Sequence, residues 1–236
     1  MRQNEQFPPP LRGLYLISPV PENGAAFNNA QLNSAALNDS ELRQLSETAW
    51  LKKCDAALAG GAAVLQYRDK SEDAEIKKRR AWQLKELCRK HGALFIINDS
   101  PALAAETCAD GVHLGAKDES IANARRIAGP KIIIGISCGK SITRMHAAAA
   151  AGADYCAFGA VFLSPTKPEA ARCPLTIITA AKKECNLPLA AIGGINPQNA
   201  KKAFAAGADM AASCAGIFNA KNITQAALQI IAAQII

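Results

Sequence analysis

The sequence predicts a single (β/α)₈ barrel, and three observations carry the prediction. An Ala-Asp pair leading into a strand-like run recurs as Ala109-Asp110, Ala153-Asp154 and Ala208-Asp209, and Gly61-Ala62 aligns with them without the acid. Positions 62, 110, 154 and 209 stand 48, 44 and 55 residues apart, each interval about twice a strand–helix unit of roughly 30 residues or fewer. Short apolar runs fall midway, at 94–97, 132–136 and 189–192, and 14–17 opens the series, which makes eight strand candidates.

Taken in order, strand 1 (14–17) leads into an Asn-, Ala- and Pro-rich stretch at 19–40. A loop of that length is read as a surface insertion or a mobile lid over the site. Helical character follows at 41–59, 72–91 and 141–151. Ser71 and Asn196-Pro197 look like helix starts, and Gly60, Gly92, Gly152 and Gly207 like C-terminal caps. Strand 2 runs up to Gln66, strand 3 to Asn98 and strand 4 through His113, while strand 6 is read as continuing to Leu163. The final AALQIIAAQII is read as a docked helix. Strict strand–helix alternation argues for a parallel sheet. An open doubly wound sheet is the competitor, but eight units with a quarter-repeat favour closure. One barrel of roughly 250 residues accommodates all 236 as a single domain, 1–236.

Composition agrees. Half the residues are hydrophobic and 5% aromatic, mostly Ala, Ile, Leu and Val, which suits buried parallel strands under Ala-rich helices. The net charge is +7, and the one dense basic run, 77–80, is read as a solvated helix face. Without aromatic or motif support it does not indicate a nucleic-acid partner; phosphorylated small-molecule substrates account for a basic balance. The eight cysteines contain no CxxC pair, so zinc and redox signatures are missing. Reduced thiols and a cytoplasmic location are expected. The opening MRQNEQFPPP lacks a signal-peptide core, and the apolar C-terminus is too short to span a bilayer. No membrane partner is expected, and a homo-oligomer is left open.

In such barrels the reactive groups come from the C-terminal strand ends. Gln66, Arg68 and Lys70 alternate after strand 2 and share one face in extended chain. Two cations and an amide there suit a polyphosphate; a solvated loop with chance charges is the alternative. Strands 3 and 4 end in Asn98-Asp99 and in a segment reaching Asp118. Adjacent carboxylates of this kind, with phosphate oxygens, commonly hold Mg²⁺, although Asp118 also suits a helix N-cap. His113 is read as a hydrogen-bonded core residue, and His91 and His146 receive no role. Ser137 ends strand 5, and Ser164, Thr166 and Lys167 form a loop between prolines. Gly193-Gly194 opens backbone N–H groups to an anion, with a short helix expected after Cys214-Ala215-Gly216.

At these residues the chain resembles the thiamine-phosphate synthase family over roughly residues 12–218, through LYLIS, LQYRDK, FIINDS, ADGVHLGAKD, IIGIS, GAVFLSPTKP and AIGGIN in the family's order. The resemblance implies a TIM-barrel transferase of thiamine biosynthesis. Asp99 and Asp118 would bind Mg²⁺, and Gln66, Arg68, Lys70, Asn98 and Lys167 the pyrimidine diphosphate. Ser164, Thr166 and Gly194 would hold the thiazole phosphate, with Ser137 beside the reacting pyrimidine and Ser137 and Lys167 as the catalytic pair. The chain departs from the family pattern at Ala116, at Cys138-Gly139 and at Ala215, where a Ser is usual. A thiazole tautomerase-like barrel or a non-catalytic binder of a thiamine precursor are the rival readings.

Overall fold

The computed structural model describes residues 11–20, 39–71, 73–163 and 171–234. Most of the 19–40 stretch, and Ser164, Thr166 and Lys167, therefore lie outside the described residues. Eight parallel strands close in sequence order, β1-β2-β3-β4-β5-β6-β7-β8: β1 Gly13–Ile17, β2 Val64–Tyr67, β3 Leu94–Asn98, β4 Gly111–Leu114, β5 Ile133–Gly139, β6 Tyr155–Gly159, β7 Leu189–Ile192 and β8 Met210–Ser213. Between them run α1 Asp39–Ala59, α2 Ala74–His91, α3 Pro101–Glu106, α4 Ile121–Ala128, α5 Ile142–Ala150, α6 Leu175–Glu184 and α7 Ala200–Ala205. The short α8 Ala215–Phe218 and α9 Ile223–Ala232 complete the chain. β1 pairs with β8 from Gly13↔Met210 to Leu16↔Ser213, which leaves no sheet edge.

Alternation along the strands separates two cores. Tyr15, Val64, Leu94, Ile96, Tyr155, Ala157, Ala190, Met210 and Ala212 fill the barrel interior. The intervening residues, such as Leu65, Phe95, Ile97, Val112 and Phe158, face the helices. The interior is unusual in holding two tyrosines, whose rings meet edge-on at 6.0 Å between centroids. Gly135 makes room for one of them: a Cβ there would lie 2.0 Å from Tyr155 Cζ.

The Ala-Asp repeat has a physical cause. Asp110 accepts from the Phe95 N–H at 2.8 Å while its own N–H donates to the Phe95 carbonyl at 2.9 Å, and Lys85 of α2 pairs with the same carboxylate at 3.0 Å. Asp154 does the same with Ile134 and with Arg125 of α4. Asp209 does so with Leu189 and with Lys182 of α6. Each acid thus stitches an even strand to the preceding odd strand and to a helix at the N-terminal end of the barrel. In the repeat without the acid, the equivalent position is Ala63, one residue past the Ala62 that the sequence repeat matched to Asp110, and it keeps only the backbone bond, to the Leu14 carbonyl at 3.0 Å.

Some boundaries differ from the sequence reading. α2 is capped by Asp73, whose side chain accepts from the Ile76 N–H, not by Ser71, whose N–H is taken by Asp69. Gly61, not Gly60, adopts the left-handed conformation after α1 (φ 89°); Gly60 is small because a Cβ would sit 2.5 Å from Ala227 Cβ of α9. Asn196 starts a turn, accepting from the Gln198 and Asn199 N–H groups, and α7 becomes regular only at Ala200. β6 ends at Gly159, short of Leu163: the Ala160 N–H donates to the Ala171 carbonyl and the Cys173 N–H to the Ala160 carbonyl, drawing the chain out of the ladder. The 77–80 run is not simply solvated, since Arg80 is largely buried against Asp69. The C-terminal helix docks as expected, burying Ala226, Ala227 and Ile230. All eight cysteines are free. Among the described residues no helix is long and apolar enough to cross a membrane.

Candidate active site

Closure of eight parallel strands brings all their C-terminal ends to one rim. Gln66, Arg68, Lys70, Asn98, Asp99, Asp118, Ser137 and Gly194 all stand on or just beyond those ends. Gln66 points into the barrel and is buried; its Nε2 donates to Tyr15 Oη at 2.9 Å. The Arg68 N–H donates to the buried Ser18 hydroxyl at 3.2 Å, tying the loop after β2 to the end of β1.

That loop has an anchor the sequence reading passed over. The Asp69 side chain is 1% exposed and accepts from the Tyr67 hydroxyl at 2.9 Å, the Ser71 N–H at 2.8 Å and Arg80 of α2 at 2.9 Å. Its carboxyl is held below the usual range: burial pushes it up, but the Ser71, Arg80 and Tyr67 hydrogen bonds outweigh that. An acid between two cations, in Arg68-Asp69-Lys70, is the only local signal for this role. With Asp69 facing inward to its anchor, the cations on either side are left for the rim.

Asp99 ends β3 at φ 65°, a left-handed conformation that Asp tolerates better than most residues. Its N–H donates to the His113 carbonyl at 2.9 Å, extending the pairing with β4. Its carboxyl is raised above its ordinary value, first by burial and then by hydrogen bonding with, and repulsion from, the Asp118 carboxylate; Lys70 and Arg68 pull it back. Asp118, Lys70 and Arg68 thus all act electrostatically on Asp99 at the rim. Asp118 is not a helix cap: Ser120 caps α4 by accepting from the Asn123 N–H. Asp118 Oδ2 instead accepts from the Gly115 N–H at 2.6 Å, which folds the loop back toward β4.

Two carboxylates that repel each other fit a divalent cation between them. Among the described residues no three His, Cys, Asp or Glu side chains form a metal cage. A cation here would therefore complete its shell with substrate oxygens and water, as Mg²⁺ commonly does.

His113 is a buried, hydrogen-bonded residue, as expected: Nδ1 lies 2.9 Å from Tyr155 Oη and Nε2 lies 2.8 Å from Ser137 Oγ. Burial pushes its pKa down to about 4, with the Asp118 charge opposing. His91 and His146 sit on α2 and α5 against Asp55 and Glu184. On the far side, Gly194 (φ 64°) has no room for a side chain, since a Cβ would lie 2.1 Å from the Leu163 carbonyl oxygen. Asn199 Nδ2 donates to the Gly194 carbonyl at 2.8 Å and fixes the turn. The helix expected after β8 is the single-turn α8, beginning at Ala215. The nearby Ser213 does not replace the hydroxyl absent at Ala215, because its own donates to the Ile195 carbonyl at 2.7 Å.

The profile of a family described as thiamine monophosphate synthase matches residues 39–217. A thiamine-phosphate synthase of Chromobacterium violaceum is 47% identical, over 93% of this chain and 95% of its own. One from Methylococcus capsulatus is 41% identical over 98% and 92%. Among solved structures, thiamine phosphate pyrophosphorylase from Pyrococcus furiosus superposes with a TM-score of 0.75 at 27% identity, covering 95% of this chain and 96% of that one.

Proposed function

The chain belongs to the thiamine monophosphate synthase family, and from that premise we propose that it joins hydroxymethylpyrimidine diphosphate to thiazole phosphate, giving thiamine phosphate and pyrophosphate. It is a transferase of thiamine biosynthesis. The observation that supports the site assignment is the placement of Arg68, Lys70, Asp99 and Asp118 after the C-terminal ends of three neighbouring strands, with Asp118, Lys70 and Arg68 all acting electrostatically on Asp99.

In this reading Arg68, Lys70 and Asn98 receive the diphosphate and Gln66 and Ser137 the pyrimidine. Asp99 and Asp118 would hold Mg²⁺, which when bound offsets negative charge on the diphosphate oxygens. As the bond from carbon to the diphosphate breaks, the Arg68 guanidinium and Lys70 ammonium would face the growing charge on the leaving oxygens; cations already in place where charge develops need no reorganisation at the moment of reaction. A pyrimidine methylene cation is left, and the thiazole nitrogen attacks it. That nitrogen carries no proton to lose, so the site needs no general base. Gly194, with the start of α8, would receive the thiazole phosphate, one hydroxyl poorer at Ala215; one neutral hydrogen bond is worth about 0.5–1.5 kcal/mol. The assignments of Ser164, Thr166 and Lys167 rest on the resemblance alone.

Purified protein mixed with both substrates and Mg²⁺ should yield thiamine phosphate and pyrophosphate in equal amounts; no product at high enzyme concentration would refute the reading. Asp69→Asn should raise KM for the pyrimidine diphosphate about tenfold and lower stability by about 1–2 kcal/mol, since Asn still accepts from Ser71 but loses the charge facing the largely buried Arg80. Unchanged KM with lowered stability would confine Asp69 to the fold.

A further inference from the structure

Five polar groups from five strands run single file across the barrel interior beneath the rim. Gln66 Nε2 donates to Tyr15 Oη at 2.9 Å, Tyr15 Oη lies 2.7 Å from Tyr155 Oη, Tyr155 Oη lies 2.9 Å from His113 Nδ1, and His113 Nε2 lies 2.8 Å from Ser137 Oγ. The two tyrosines are fully or almost fully buried, and Gln66 and His113 nearly so. Only Ser137, at the far end, is half-buried. Buried hydroxyls are costly unless every one is satisfied. Both ends of the file belong to the site described above.

The proton count fixes a direction. Each hydroxyl carries one proton and can donate once. Tyr15 accepts from Gln66, and among the described residues Tyr155 Oη is the one acceptor recorded for its own proton, which therefore goes to Tyr155. Tyr155 then donates to His113 Nδ1, which leaves the imidazole proton on Nε2. That proton goes to Ser137 Oγ. The Ser137 hydroxyl proton is the one left over: among the described residues no acceptor is recorded for it, and Ser137 stands at the mouth of the barrel.

We infer that Tyr15, Tyr155 and His113 are positioning residues, which act through this chain to present Ser137 to the substrate as a hydrogen-bond donor and Gln66 in one amide orientation. The matching group on the substrate is an acceptor, such as a pyrimidine ring nitrogen, and not an exocyclic amine. If the chain ran the other way, Ser137 would donate inward to His113 and could only accept from the ligand. The reading of substrate in this step rests on the proposed function; the polarity of the chain does not.

The test separates the two. With the side chains of the three histidines labelled with ¹⁵N, and His113 assigned by its loss in His113→Gln, the free protein should show His113 as the Nε2–H tautomer. The Nδ1–H tautomer there would overturn the inference, whether or not the protein turns over substrate. Tyr155→Phe keeps the ring and removes the donor to Nδ1, so His113 should become a mixture of tautomers and kcat/KM should fall about tenfold. Tyr155→Phe combined with Ser137→Ala should be no worse than Ser137→Ala alone. Tyr15→Phe should leave the His113 tautomer in place, because Tyr155 can still donate, yet raise KM by releasing Gln66. Additive losses in the double variant, or an unchanged tautomer in Tyr155→Phe, would leave the tyrosines as packing only. Should Tyr155→Phe not fold, the wild-type tautomer and Tyr15→Phe still decide the matter.

Discussion

Replacing Asp99 by Asn is expected to lower kcat about a thousandfold while leaving the folded protein no less stable. A thousandfold corresponds to about 4 kcal/mol of lost transition-state stabilisation, in line with weakening a cation that offsets charge on a leaving diphosphate. Asn is the informative substitution because it too tolerates the left-handed backbone at φ 65°, where Ala would add strain. Stability moves the other way. The folded-state pKa of Asp99 lies above its ordinary value, through burial and the neighbouring Asp118 carboxylate. The ionised form is therefore favoured in the unfolded chain, and at neutral pH this group weakens folding. Removing the charge removes that cost. Product formation measured against a Mg²⁺ titration, beside thermal unfolding without substrate, checks both halves. Retention of more than a tenth of wild-type turnover would take Asp99 out of the metal-holding role.

The barrel was legible because its cause is periodic. The Ala-Asp pairs recur at the pitch of two strand–helix units since each acid does the same job at the same place, joining strand to strand and to a helix. The rim acids and cations were legible because the strand-end rule places them without any knowledge of contacts. What lay hidden depends on reach across the chain. Tyr15 and Tyr155 meet although they are 140 residues apart, and each alone reads as an apolar strand residue. Arg80 was hidden inside a run of charges, where a helix surface and a buried ion pair look alike in sequence. The end of β6 was masked by apolar residues continuing past it: Val161 and Phe162 still donate to the carbonyls of Ile192 and Gly193, but the return limb at Ala171 and Cys173 pulls the chain away.

The opposite end of the barrel should respond in the opposite manner. Asp154→Ala is expected to lower the free energy of unfolding by about 3 kcal/mol with kcat unchanged. The Asp154 carboxylate is the side-chain acceptor of the Ile134 N–H, at 2.7 Å, and the ionic partner of Arg125, at 2.9 Å. An amide left unsatisfied costs about 1–3 kcal/mol. Breaking a fully buried ion pair costs about 3–5 kcal/mol, but these side chains are 28% and 40% exposed, so the ionic part is discounted for solvent. Arg125 does not lose its place, because it also donates to the carbonyls of Pro130, Ile132 and Gly152; the strand contact, not the helix, is what gives way. Denaturant unfolding at equal slope measures the loss. Because β5 carries Ser137 at its other end, a fall in kcat accompanying the loss of stability would mean that the two ends of that strand are mechanically coupled. An unchanged kcat would show that the barrel isolates its chemistry from the stitching that holds it closed.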